Sequence, residues 1–371
     1  FPSLLLNYFG QGSLLLRDHS AQVHPLFHMV SGWALYPLIA IATLAAVMAS
    51  QAVITGAFSL TLQAIQLGYC PRLRIEHTSH EQFGQIYIPA VNRALALASL
   101  ALILGFRSSS NLAAAYGLAI TITMVVTMTL FYRLTRDRWK WSLPLALPFA
   151  AFFLTIDLAF FGANMLKLFH GGWFPLVIAG AIFIMMTTWR DGRQLLAARL
   201  RASMLSTELF VAEQMSNPPV RVPGAAVFMS GNPLGTPLAL RLNVAHNHVL
   251  HECNIILGVQ TADAPYVGPS ERIEVEEIGE GFYRIYLNYG FMEEPNVPRD
   301  LTPTACVGRK FDVESVSYFL GRETLVAKAT PGMALWRESL FAFMSRNSQP
   351  ATLFFHLPAG RVVEIGAQVE L

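Results

Sequence analysis

The chain has 371 residues, of which 53% are hydrophobic and only 13% charged, with a formal net charge of +2. That balance lies outside the range of ordinary soluble domains and marks a protein that is at least partly membrane-embedded. The slight positive charge gives no ground for a nucleic-acid partner, and Cys70, Cys253 and Cys306 stand far apart without a CxxC pair. Their spacing suggests neither a disulfide framework nor a zinc ribbon, and points to a reducing compartment.

The chain opens on Phe1-Pro2 with no initiator Met, basic leader or small-residue cleavage site, so it reads as a piece whose N-terminal part is missing. Residues 1–16, FPSLLLNYFGQGSLLL, look like the tail of a membrane span. Crossing a hydrocarbon core of about 30 Å takes about 20 apolar helical residues. Such runs occur at 32–55, 88–106, 111–132 and 143–165, followed by a shorter run at 172–189. Residues 56–67 continue past a bilayer thickness, and Gly56 is expected to mark a bend into an amphipathic helix.

Lys and Arg alternate between the loops. Arg72 and Arg74 follow the first full span, Arg133, Arg136, Arg138 and Lys140 the third, and Arg190, Arg193, Arg199 and Arg201 the fifth. The intervening loops hold only Arg17, Arg107 and Lys167. Positive loops face the cytoplasm, which places everything after residue 190 there. Trp33, Trp139, Trp141, Trp173 and Trp189 fall at proposed span ends, where an indole favours the headgroup region.

Polar groups inside spans face a bundle interior or a water path, because lipid cannot satisfy them. Asp157, in FFLTIDLAFFGAN, is the sharpest case. It reads either as an ion or proton site or as a carboxyl held protonated or hydrogen-bonded to a neighbouring helix. Asn164 lies seven residues on, about two helical turns, and can share its face. Ser50, Gln51 and Thr55 place hydroxyl and amide oxygens in one span, with Gln51 and Thr55 on a common face. These suit either an alkali cation or ordinary interhelical hydrogen bonds. Asn7, Tyr8 and Gln11 are helix-packing candidates, and the hydroxyls of Thr121, Thr123, Thr127 and Thr129 can simply bond their own helix backbone.

Residues 190–224 read as a cytosolic connector, with Pro218, Pro219 and Pro223 in its second half. From 225 to 371, apolar runs of strand length alternate with helical patterns, the signature of an α/β domain. The stretch VEEIGEGFYRI turns at Gly279-Glu280-Gly281 and predicts a hairpin. His246, His248, His251 and Cys253 crowd one stretch, but a helix running into a strand would scatter them, so no metal site is expected. His24 and His28 are expected on a short outer helix. There is no P-loop and no GxSxG, and the chain offers no catalytic constellation.

Longer stretches carry a pattern. FPSLLLNYFGQGSLLL, ASQAVITGAFSLTLQAIQLGYCPRLRIEHTS, GQIYIPAVN, IDLAFFGANMLKLFHGGWFPL, GFYRIYLNYGFMEEPNVP, YFLGRETL and GRVVEIGAQVEL together resemble the KUP/HAK/KT family of potassium uptake permeases. They cover nearly the whole chain in order. Leu62 and Arg93 depart from the usual pattern, where a basic residue and a Trp are common.

The resemblance implies the second part of a LeuT-like, APC-type helical bundle followed by a cytosolic α/β domain. It also implies potassium:proton symport at the plasma (inner) membrane, with potassium and proton as substrates and no cofactor. Implied partners are the lipid bilayer, the missing N-terminal helices of the same protein and a second copy in a homodimer. By the same analogy the spans correspond to helices eight to twelve, and this piece alone does not transport. For Ser50, Gln51 and Thr55 the resemblance implies a pathway-lining or site-supporting role. The competing readings are a membrane-anchored enzyme or a ligand sensor acting through the soluble half.

Overall fold

The computed structural model describes residues 1–18, 25–30, 32–77, 86–202, 206–231, 234–301, 316–326 and 332–370. His24 and Cys306 lie outside them. The chain divides into two compact units, Phe1–Ser59 with His77–Tyr87, and Leu60–Glu76 with Ile88–Leu371.

The first unit begins with helix α1, Pro2–Arg17, which starts on a proline whose missing N–H costs nothing at that position and ends on a cation. Helix α2, Leu35–Gln66, starts here and runs 32 residues, about 48 Å at 1.5 Å per residue. It is helical throughout, so the segment expected beyond a bend at Gly56 is the same helix continued.

The second unit carries helices α3 (Pro89–Phe106), α4 (Ser109–Asp137), α5 (Leu143–Met165) and α6 (Trp173–Ala202). Among the described residues, Gly32–Gln66, Pro89–Phe106, Leu112–Asp137, Leu143–Met165 and Trp173–Arg199 are long and apolar enough to cross a membrane. Their side chains are largely exposed in this chain, as lipid-facing or unpartnered helix surfaces are. Helices α4 and α5 form a hairpin. Small Ala146 and Ala150 let α5 lie close, and Phe131, Trp139, Trp141 and Phe149 interlock at the turn with centroids 5.6–5.9 Å apart.

The rest of the chain is an α/β domain. After α7 (Thr207–Ser216) come β1 (Val220–Ser230), α8 (Leu238–Asn247), β2 (Val249–Ala262), β3 (Ile273–Gly279), β4 (Phe282–Gly290), β5 (Ser317–Val326), α10 (Leu335–Arg346) and β6 (Val362–Glu370), with short α9 (Val297–Asp300) and α11 (Ala351–Phe354) between. One six-stranded sheet has the order β3-β4-β2-β1-β5-β6. All its pairings are parallel except β3 with β4. That antiparallel pair is the predicted hairpin, and Gly281 at its turn takes φ +76°.

Alternation along the strands seals both faces of the sheet. Val227, Ile255, Leu257, Ile285 and Tyr318 bury one face, and Ala226, Phe228, Ile256, Phe282 and Phe319 the other. Phe210 and Val211 of α7 close the second face. The segment expected as a connector, residues 190–224, contains regular elements. Its first part continues α6 to Ala202, its second holds a helix of the domain, and strand β1 already begins at Val220. The prolines misled because Pro223 sits at an irregularity in β1, beside Gly224 at φ +101°.

Arg284, with a side chain only 3% exposed, is held by Glu208 at 2.5 Å and Glu276 at 2.6 Å. Cys70 is a free thiol that burial pushes up to about 11. Cys253 is disulfide-bonded, a pairing that the cysteine spacing did not suggest.

Candidate functional site

Asp157 stands on the face of α5 that meets α4, and only 8% of it is exposed. The same face carries Ala146 and Ala150, whose spacing of four and then seven residues keeps all three on one side of the helix. Asp157 lines a cavity of about 360 Å³ with Ile120, Thr123, Met124, Thr127, Met128 and Phe153. Thr123 and Thr127 are four residues apart on α4, so both stand on the helix face that lines this space.

The Thr123 hydroxyl donates to the Ala119 carbonyl at 3.0 Å, which spends its proton on the helix and leaves oxygen lone pairs for the cavity. A hydroxyl oxygen beside an intramembrane acid is the kind of pairing that lines ion paths. Thr121 and Thr129 also bond backward to carbonyls of their own helix, at 3.0 and 2.8 Å. The expectation of backbone bonding holds for these threonines.

Two turns beyond Asp157, Asn164 donates to the Phe160 carbonyl at 3.0 Å. It reaches across to α4 at Gly117, where a Cβ would lie 2.5 Å from Asn164 Oδ1. The absent side chain of Gly117 is what admits the amide. Asp157, Asn164, Gly117, Thr123 and Thr127 thus share one helix seam.

The other candidates lie in the first unit. In α1, Gln11 donates to Asn7 Oδ1 at 3.1 Å, while Tyr8 is 66% exposed. In α2, Ser50, Gln51 and Thr55 are exposed, and Thr55 donates to the Gln51 carbonyl at 3.0 Å. The polar strip continues as Ser59 bonds to the Thr55 carbonyl at 3.1 Å.

Of the histidine stretch, His246 occupies the last turn of α8, His248 caps it with φ +54°, and His251 sits on β2 with its ring 5.9 Å from that of Phe319. Burial depresses the His251 pKa.

Asp157 stands out in the sequence, and Thr123 and Thr127 are named there only as hydroxyls that can bond their own helix; that they line one cavity with Asp157 is not legible. The available signal was the four-residue spacing of Thr123 and Thr127, which matches one helix face yet names no facing helix.

Residues 1–194 match the model of the K+ potassium transporter integral membrane domain, and residues 223–371 match that of the K+ potassium transporter C-terminal domain. The chain is 52% identical over 370 residues to "Probable potassium transport system protein Kup" of Myxococcus xanthus, covering 100% of this chain and 57% of that protein. It is 54% identical over 372 residues to "Probable potassium transport system protein Kup 1" of Geobacter sulfurreducens, covering 100% of this chain and 59% of the relative. A protein named "Probable potassium transport system protein Kup 2" from Chromobacterium violaceum is 50% identical over 370 residues, with 60% of its length covered. The chain therefore spans less than two thirds of the length of these relatives.

Proposed function

The chain belongs to the K+ potassium transporter family, the KUP/HAK/KT permeases, and from that premise we propose that it serves potassium import across the plasma (inner) membrane as part of a potassium:proton symporter. The observation that carries this reading is the burial of Asp157 beside Thr123 and Thr127 in a cavity between two span-length helices. An intramembrane acid in such a place is a functional group by default.

In this proposal Asp157 is a proton-coupling group, and Ser50, Gln51 and Thr55 line the ion path. Asn7, Tyr8, Gln11 and Asn164 support helix packing. The bundle is LeuT-like, with substrate held between inverted repeats, and helices supplied by the N-terminal part of longer relatives complete the cation site. The arginine-rich ends of alternate spans support a cytoplasmic α/β domain. That domain regulates transport rather than catalysing a reaction, and it offers a surface for a homodimer.

The test is rubidium uptake in cells stripped of their own potassium importers. The protein assayed is this chain preceded by the residues that its longer relatives carry, beside the chain alone. Uptake that rises at acidic external pH, and an Asp157→Asn variant that loses this rise, is the expected result. Unchanged pH dependence in the variant removes the coupling role from Asp157. A well-inserted protein without uptake overturns the transport reading.

A further inference from the structure

Helix α10 of the α/β domain is fixed to the end of membrane helix α6. Arg337 Nε donates to Thr188 Oγ1 at 3.0 Å, and its Nη2 meets Asp191 at 2.9 Å. The Phe341 ring lies 5.3 Å from that of Trp189 and fills the space left by Gly192. These contacts all fall at residues 188–192, within about one helical turn of α6. They also fall where α6 leaves its apolar run, since no Asp, Glu, Lys or Arg stands between Lys167 and Arg190. On the reading that α6 spans the bilayer, the end of that apolar run at Arg190 lies at headgroup depth.

The face of α10 turned away from α6 is apolar. Leu335, Trp336 and Phe343 are 63%, 58% and 60% exposed. At 3.6 residues per turn they fall, with Ser339 and Arg346, within an arc of about 100°. The opposite arc holds the buried Glu338, Phe341 and Met344. A helix clamped to the side of a spanning helix has its far face directed sideways, at the same depth as the clamp. At that depth lie lipid headgroups, which accept an indole, a phenyl ring and a leucine where water would not. Arg346 on the same arc and the exposed Arg193 of α6 add positive charge suited to phosphate.

We propose that the Leu335–Trp336–Phe343 face of α10 is a lipid-binding surface, seated in the cytosolic headgroup layer and favouring anionic phospholipid. It rests on the membrane-spanning reading of α6. The domain is then held to the membrane through α6 and through its own amphipathic helix.

Site-directed spin labelling tests this on the chain reconstituted in phosphatidylcholine vesicles, with and without phosphatidylglycerol, in a Cys70→Ser background. Single labels are placed through Trp336→Cys and Phe343→Cys. Val177→Cys on α6 serves as the span control, and Glu277→Cys on β3 as the aqueous control. Expected is a several-fold preference for collision with oxygen over a water-soluble nickel chelate at 336 and 343, relative to 277, increasing with phosphatidylglycerol. Nickel access equal to that at 277 overturns the proposal by showing an aqueous face. Shielding from both reagents also overturns it, by showing a protein cover. If the label at 177 fails to favour oxygen, the spanning premise itself fails.

Discussion

Gly117 of α4 and Asn164 of α5 occupy one place in the seam between their helices. A Cβ on Gly117 would lie 2.5 Å from Asn164 Oδ1 and 3.3 Å from its Cγ. The amide is anchored behind by its bond to the Phe160 carbonyl, so it cannot retreat freely. Gly117→Ala is expected to cost about 1–3 kcal/mol by overpacking. Asn164→Ala in the same chain should recover most of that loss, because the two changes share one volume. Thermal unfolding of the four members of the cycle in detergent measures the coupling, and additive effects would contradict it.

Glu208 carries a pH signature. Hydrogen bonds from Arg284, and then from Ser206, lower its pKa from 4.5 to about 2. A carboxylate depressed on folding stabilises the fold above its unfolded value, and the contribution fades as pH falls from about 4.5 toward 2. The Glu208 side chain is 57% exposed, so solvent screening makes the contribution modest. Glu208→Gln is therefore expected to lower the stability of the α/β domain at neutral pH and to match the parent near pH 2. Acid titration of both proteins followed by circular dichroism checks this, and a constant gap down to pH 2 would refute it.

Glu338 is fully buried on α10, and among the described residues neither carboxylate oxygen has a hydrogen-bond partner. A buried polar group in that condition destabilises its surroundings by about 1–3 kcal/mol. Glu338→Met, close in length and without polar atoms, is expected to raise the thermal midpoint by several degrees. A lowered midpoint would mean that the carboxylate has a partner in solution.

Gly192 is the contact point of α6 with Phe341, and a Cβ there would enter the phenyl ring. Gly192→Val is expected to displace α10 from α6 while leaving the sheet folded. Limited proteolysis near residues 332–346 should then accelerate markedly, with sheet circular dichroism unchanged. Equal cleavage rates in parent and variant would show that α10 does not depend on this seat.

Elements governed by local rules were legible in the sequence, and relationships between elements were not. Span-length apolar runs and the Gly279–Gly281 turn follow from residue order alone, and both appear in the structure. Asp157 stood out because a charge in an apolar run is unusual wherever the helix packs. Its neighbours Thr123 and Thr127 lie on another helix, and no periodicity on α4 reports which partner it faces. The same limit applies to α7, whose Phe210 and Val211 acquire meaning only against the sheet they seal. Helix α6 outruns its apolar run for a different reason. Charged residues from Arg190 onward end a lipid-compatible run without ending a helix, so hydropathy stops where the backbone continues.

Strand β3 closes one side of the six-stranded sheet, and in seven residues it bears Glu274, Glu276 and Glu277. An unpaired strand border is a template for unwanted growth, and glutamates along it oppose the approach of a like-charged chain. Glu276 is committed to Arg284 and Glu274 accepts from Asn288, so the acids also fasten this strand inward. The border therefore resists fibrillar stacking, a hazard that grows when membrane insertion crowds many copies of the domain onto one surface.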